Sequence, residues 1–205
     1  MRGTSHLIVG AAIGAILADH TGGELLGVAA CALGALTPDI DISYSLLGRW
    51  FFFWPGVERS GRNGFVEHGR RWFTGPIWHR GQLHSFGFLI LSSVIAAAGY
   101  MFLASKIQIP TLLGPQWLLL FAVCFAAGVL SHLLTDCINK SGMMMFWPLS
   151  HKLVTAPIPH ARENSGEGRL YEMLIVGGAL ALAFFALGGS LPQVQSAFGH
   201  LGAFL

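Results

Sequence analysis

The sequence predicts an all-α fold: a polytopic membrane helix bundle of about five spans with cytoplasmic interfacial loops. Three observations carry that prediction. First, 53% of the 205 residues are hydrophobic and only 11% are charged, whereas an ordinary soluble domain carries roughly 25% charged residues. Second, apolar runs recur at about 5–18, 24–37, 84–104, 115–135 and 172–190. Third, the basic residues fall almost entirely on one side of the topology those runs imply. The length suits one integral membrane domain, residues 1–205.

The first run follows Arg2 and extends from Leu7 to Ala18, the outline of a signal peptide. Ile16 is too large for the −3 position of a cleavage site after Ala18, and a second apolar run follows at once, so an uncleaved helical hairpin is the expectation. Both runs are short for a span. Gly10, Gly14, Gly27 and Gly34 within them allow membrane helices to approach closely, and Asp19 to Glu24 supplies a polar turn. The last three runs reach the ~20 residues needed to cross ~30 Å of hydrocarbon. Cys31, Cys124 and Cys137 form no CxxC pair; the first two sit in apolar runs as small hydrophobes, and no disulfide framework is implied.

With five spans, residues 1–5, 38–83 and 136–171 share one side, and eleven of the twelve Lys and Arg residues lie there, Lys106 alone being opposite. Positive charge in short loops stays inside, so that side is expected to be cytoplasmic. Two insertions on it, at about 42–78 and 140–171, are more than linkers. The first interleaves arginines with Trp and Phe, a composition that suits a segment lying at the headgroup boundary. Such a mixture can also stack single-stranded nucleic acid, but a net charge of only +2 leaves no footprint for that partner, and none is expected. The second insertion, with Pro148, Pro157 and Pro159, suits an irregular or hairpin lid, and its methionines 143–145 suit packing or lipid contact.

The chemistry-bearing residues sit at helix ends on the same side. His6 opens the first span, Asp39 and Asp41 (PDID, 38–41) close the second, His79 and His84 (HRGQLHS, 79–85) open the third, and His132 and Asp136 (SHLLTD, 131–136) close the fourth. Alternating helix direction brings them to one depth. His132 and Asp136 are four apart, so both project from one helix face. Taken singly, each has an ordinary reading: a lone His at a helix end is more often interfacial, and an Asp after Pro38 is more often a turn or cap. Together they are costly at a membrane boundary unless paired or coordinated. Mixed oxygen and nitrogen ligands suit zinc, or manganese or iron, and the number of groups leaves room for a dinuclear centre. Arg80 could grip a phosphate, and His79 could contact substrate or orient a ligand. His20, with Asp19 and Glu24, falls on the opposite side as a solvated turn; His68, His151, His160 and His200 are expected at the surface, with His151 and His160 on the side of the cluster.

The order of these strings, completed by a segment ending in Trp147-Pro148, resembles the bacterial LexA-regulated, membrane-bound metal-dependent hydrolase family, itself similar to zinc-dependent phospholipase C-like proteins. The likeness covers most of the chain. It implies a helical fold in the bacterial inner membrane and metal-assisted phosphoester hydrolysis. By position it implies His6, Asp39, Asp41, His84, His132 and Asp136 as metal-site residues, with His79 and Arg80 beside them.

The leading expectation is therefore a hydrolase, its site facing the cytoplasm, that cleaves a phosphoester of a lipid or lipid-linked substrate by metal-activated water. Asp41 or Asp136 is the expected general base, and membrane lipid the expected partner. The alternative is a transporter or ion- or proton-conducting protein using the same His and Asp cluster; a third reading is a structural bundle stapled by metal.

Overall fold

The computed structural model describes residues 3–41, 45–48, 82–107, 114–138, 142–156 and 166–189. Five α-helices are found among them, α1 Gly3–Ala18, α2 Glu24–Leu36, α3 Phe86–Ile107, α4 Pro115–Asp136 and α5 Gly166–Ala186, with 3-10 turns at Thr37–Asp41 and Gln82–His84. The protein is an all-α bundle, as the hydropathy pattern predicts. The aromatic part of the first insertion, together with His68, His79, Arg80, His160 and His200, lies outside the described residues, and so does the side chain of Asp41.

Helices α3, α4 and α5 are each long and apolar enough to cross a membrane. They differ in role. Only 6% of the apolar stretch is buried in α3 and in α5, against 39% in α4, so α4 is central and the other two present side chains such as Ile90, Val94, Met173 and Leu182 outward. In lipid that exposure costs nothing, because the surrounding tails are as apolar as the side chains.

At 16 and 13 residues, α1 and α2 rise only about 24 and 20 Å at 1.5 Å per residue. They nevertheless traverse most of the height of α4. The turn joining them abuts Trp117, in the first turn of α4, while His6 and the end of α2 meet α4 at His132 and Asp136. The hairpin thus reaches from one end of α4 to the other. The turn is locally specified: Thr21 Oγ1 donates to the Ala18 carbonyl at 2.6 Å and accepts from the Gly23 amide at 3.1 Å. Gly22 takes φ +74°, a left-handed conformation that a side chain would oppose.

α1, α2 and α4 pack on one another, with α5 against α1 and α3 against α4. Small residues decide how closely α2 and α4 approach. A methyl group at Gly34 would collide with the Phe125 carbonyl, and one at Gly128 with the Cys31 carbonyl. The three cysteines are free thiols buried within this packing, and Ala30, Cys31, Cys124, Phe125, Val129 and Leu133 form its apolar centre.

Residues 142–156 form the hairpin expected of the second insertion, closed by paired backbone bonds between Met143 and Val154. It is tied to the bundle at two points, where the Phe86 amide donates to the Met145 carbonyl at 2.8 Å and the Ala156 amide to the Cys137 carbonyl at 2.9 Å. Met143 and Met145 are buried against Leu133 and Cys137, so these methionines serve packing.

Replacing Gly128 by alanine should lower stability in detergent by about 1–3 kcal/mol through overpacking. Gly99→Ala, where no atom lies within 4 Å of the added methyl, should be neutral. Thermal unfolding of both variants checks this, and equal melting would contradict the close α2–α4 contact.

Candidate metal centre

Local sequence explains how each ligand-type side chain is aimed. His84 ends a 3-10 turn immediately before α3, and the next residue, Ser85, caps that helix: its hydroxyl accepts from the Phe88 amide at 3.0 Å and donates to the Gln82 carbonyl at 2.6 Å. Asp39 lies in the 3-10 turn that continues α2, where the Ser45 hydroxyl donates to its backbone carbonyl at 2.7 Å. His132 and Asp136 share a face of the last turns of α4, and His6 lies near the start of α1.

These five side chains meet. His6, Asp39, His84, His132 and Asp136 are all buried, between 0% and 6% exposed. His132 Nε2 lies 3.1 Å from His84 Nε2, and each of these nitrogens is 3.6 Å from Asp39 Oδ1 and 3.9 Å from Asp136 Oδ2. Donors around a tetrahedral zinc ion, with bonds of about 2.0–2.2 Å, lie about 3.3–3.5 Å apart. The nitrogen–nitrogen and nitrogen–oxygen separations are therefore close to those of a ligand shell. The other oxygen of the same carboxylate, Asp136 Oδ1, is 3.3 Å from His6 Nε2, and the His6 and His132 rings stack with centroids 3.8 Å apart. Two triads could hold an ion, Asp39 with His84 and His132, and His6 with His132 and Asp136.

Hydrogen bonding on the far side of two rings sets which nitrogen faces the cluster. His132 Nδ1 is 2.7 Å from the Ala35 carbonyl oxygen. A carbonyl only accepts, so Nδ1 carries the proton, and in the neutral ring Nε2 presents its lone pair to the cluster. Ala35 lies in the last turn of α2, where carbonyls lack helical partners, and Pro38 just beyond has no N–H to give them. His6 is held similarly. Its Nδ1 lies 3.1 Å from Thr135 Oγ1, whose single proton is directed at the Ser131 and His132 carbonyls at 2.9 and 3.0 Å. The consistent arrangement has His6 Nδ1–H donating to that hydroxyl, leaving Nε2 with a lone pair opposite Asp136. Lone pairs thus converge on carboxylates, an arrangement that a cation between them, or shared protons, would relieve. An oxygen partner behind a ligating imidazole is the usual orienting device of metal sites.

Burial by itself raises the Asp39 carboxyl, but its interaction with His84 and the facing charges of His132, His84 and His6 outweigh that and hold it at about 2, below its ordinary 3.8. Asp39 stays ionised at any physiological pH.

Of the residues singled out from the sequence, five are brought together: His6, Asp39, His84, His132 and Asp136. Asp41 contributes the last backbone position of its turn. His151 is exposed on the 142–156 hairpin, and His20 pairs with Asp19 in the exposed turn at the other end, as expected. Thr135, Ser85 and the Ala35 carbonyl were missed as orienting groups. Thr135 stands inside the SHLLTD string, and Ser85 directly before an apolar run carries an ordinary N-cap signal.

A family profile described as YdjM inner membrane protein matches residues 1–193. That description names a location and no reaction. No curated protein and no solved structure matches the chain.

A lowered folded-state pKa adds stability that is fully present above the unfolded value and is lost as pH falls through the folded one. The stabilisation from Asp39 should therefore be complete above about pH 4 and fade toward pH 2. In chelator-treated protein, Asp39→Asn should be destabilising at pH 7, with the gap to wild type closing as the pH falls toward 2. Melting curves at both pH values decide it.

Proposed function

The chain belongs to the YdjM inner membrane protein family, and from that premise we propose that it is a membrane-embedded, metal-dependent hydrolase cleaving a phosphoester of a lipid or lipid-linked substrate. The observation that carries the reading is the buried quartet of Asp39 Oδ1, His84 Nε2, His132 Nε2 and Asp136 Oδ2, in which the two imidazole nitrogens lie 3.1 Å apart and each lies 3.6 Å from Asp39 Oδ1 and 3.9 Å from Asp136 Oδ2. Two nitrogens and two oxygens suit zinc, with manganese or iron as further candidates.

A divalent ion held there supplies Lewis-acid polarisation of a phosphoryl oxygen and acidification of a water. The chain's own groups do the rest. His132 is locked in its tautomer by the Ala35 carbonyl, so its donor atom needs no reorientation. Asp136 Oδ1, beside His6 Nε2 at 3.3 Å, can accept a proton from an attacking water and share it with the imidazole, which makes Asp136 the general base and His6 its relay. Arg80 and His79, outside the described residues, remain the sequence-based candidates for gripping the phosphate, and Asp41 for a further ligand or base.

The excess of Lys and Arg on the side of the cluster supports a cytoplasm-facing site. A cluster at the ends of apolar helices stands near headgroup depth, where a lipid phosphoester is found. Among the described residues the buried polar side chains cluster at this one end, and the other end offers Asp19, His20 and Glu24 in an exposed turn, so nothing among them lends the transport alternative a polar path across.

Protein purified in detergent should carry bound divalent metal, and Asp39→Ala and His132→Ala should each remove it and depress phosphoester turnover at least about a hundredfold. Metal that survives in both variants, or bound metal with ion flux in liposomes and no turnover, would sink the hydrolase reading. Thr135→Val keeps the side-chain shape but removes the oxygen behind His6. It should depress turnover about 10–100-fold while metal stays bound, read by turnover and chelator competition together.

A further inference from the structure

Between α1 and α5 lies a cavity of about 350 Å³ lined by Thr4, Ser5, Arg169, Glu172, Met173 and Val176. That volume falls within the range of small-molecule sites. α1 and α5 form its walls, and Ser5 precedes His6, so the cavity and the metal-site residues adjoin through consecutive residues of α1. Its lining divides by chemistry. Arg169 and Glu172, three apart, share one face of α5 and set a guanidinium and a carboxylate side by side near the start of that helix. Met173 and Val176 continue the same helix toward the apolar interior, and Met173 is 71% exposed on the lipid-facing surface.

Three features indicate an occupant. Charge of both signs with two hydroxyls answers a headgroup that carries an anion and a cation together. The Ser5 hydroxyl donates to Glu172 Oε1, which orders the carboxylate and leaves it further acceptor capacity, since a carboxylate has about four lone-pair sites. The apolar half of the lining reaches the outer surface of the bundle at Met173, which is 71% exposed.

We propose that this cavity is a headgroup subsite for a phospholipid bearing both a phosphate and a primary ammonium. Arg169 binds the phosphate, Glu172 accepts from the ammonium, and an acyl chain lies along Met173 and Val176. The inference deepens the preceding reading, because the site lies where a lipid would reach the His and Asp cluster from the side. It needs no metal, so it is tested apart from the reaction.

The experiment measures lipid retention by the intact protein in detergent, using native mass spectrometry with phosphatidylethanolamine, phosphatidylglycerol and phosphatidylcholine of identical acyl chains. Wild type should retain phosphatidylethanolamine about tenfold better than the other two, the step expected from one additional charge-assisted contact. Arg169→Gln should weaken all three lipids, whereas Glu172→Gln, which still accepts from Ser5, should erase the advantage over phosphatidylglycerol alone. Val176→Trp, which fills the groove without touching either charge, should lower retention of every lipid and guards against a folding artefact in the charge variants. Soluble phosphoethanolamine should not displace the lipid at equal concentration; displacement would overturn the assignment to lipid. Equal retention of the three headgroups by wild type, or an unchanged pattern in Arg169→Gln and Glu172→Gln, would overturn the subsite. The Asp39→Ala protein separates the two proposals: headgroup preference should persist in it after metal is lost. A wild type without metal that keeps the preference defeats only the hydrolase reading, and metal-dependent turnover without the preference defeats only this one.

Discussion

The desolvation of two carboxylates and three imidazoles at one end of an apolar bundle is the constraint around which the rest of the structure is arranged. Asp39 and Asp136 are 6% and 2% exposed, and His84 and His132 have no exposed surface. Groups buried that far are largely cut off from water, so their partners come from within the bundle, most of those described from other segments of the chain. That requirement explains why four segments distant in sequence end at one depth. The polar residues around them, Ser5, Ser45, Ser85 and Ser131, are buried as well: Ser45 and Ser85 satisfy backbone groups at segment ends, Ser5 donates to the Glu172 carboxylate, and Ser131 to the Gly128 carbonyl one turn back.

The packing of α2 on α4 makes such an end possible. Carbonyls at Cys31 and Phe125 occupy the space that side chains would take at Gly128 and Gly34, so the two backbones run in near contact. His132 can then reach the carbonyl of Ala35 at 2.7 Å across the interface. With a bulkier seam the imidazole would be held too far from α2 to be oriented by it, and its donor atom would be free to rotate. The small-residue stripe and the metal-site geometry are therefore one feature read at two depths of the same interface. Ser85, capping α3, and the Met145 carbonyl, which receives the Phe86 amide, fix His84 in the same way from the other side.

Much of this was legible in the sequence, for identifiable reasons. Helix existence followed from apolar runs, and the side on which each polar residue falls followed from counting spans, so the meeting of His6, Asp39, His84, His132 and Asp136 needed no knowledge of tertiary contacts. The pairing of His132 with Asp136 was set by a spacing of four on one helix. What could not be read was rotation about each helix axis. Nothing in the order of residues says that Asp136 turns one oxygen to His6 and the other to His84 and His132, or that Thr135 rather than Ser131 stands behind His6. The first two runs are short for spans, yet the helical hairpin expected of them is formed. Their short helices reach both ends of α4 because the intervening turn and the 3-10 continuation at Thr37–Asp41 supply the remaining height.

The arrangement of Asp136 bears on how many ions the cluster could hold. Two triads are present, and both include His132. With Nδ1–H committed to Ala35, His132 has one lone pair, and one lone pair serves one ion. The triads are therefore not two independent sites. A carboxylate is not limited in that way: Asp136 presents Oδ2 to His84 and His132 and Oδ1 to His6, the disposition of a bridging ligand. A first ion would take Asp39, His84, His132 and Asp136 Oδ2, and a second would have only His6 and Asp136 Oδ1 from the described residues. Two donors make an incomplete shell, which water or substrate oxygens would finish. A second ion would therefore be held by His6 and Asp136 Oδ1 among the described residues, with the same chemistry of polarising a phosphoryl oxygen and acidifying a water.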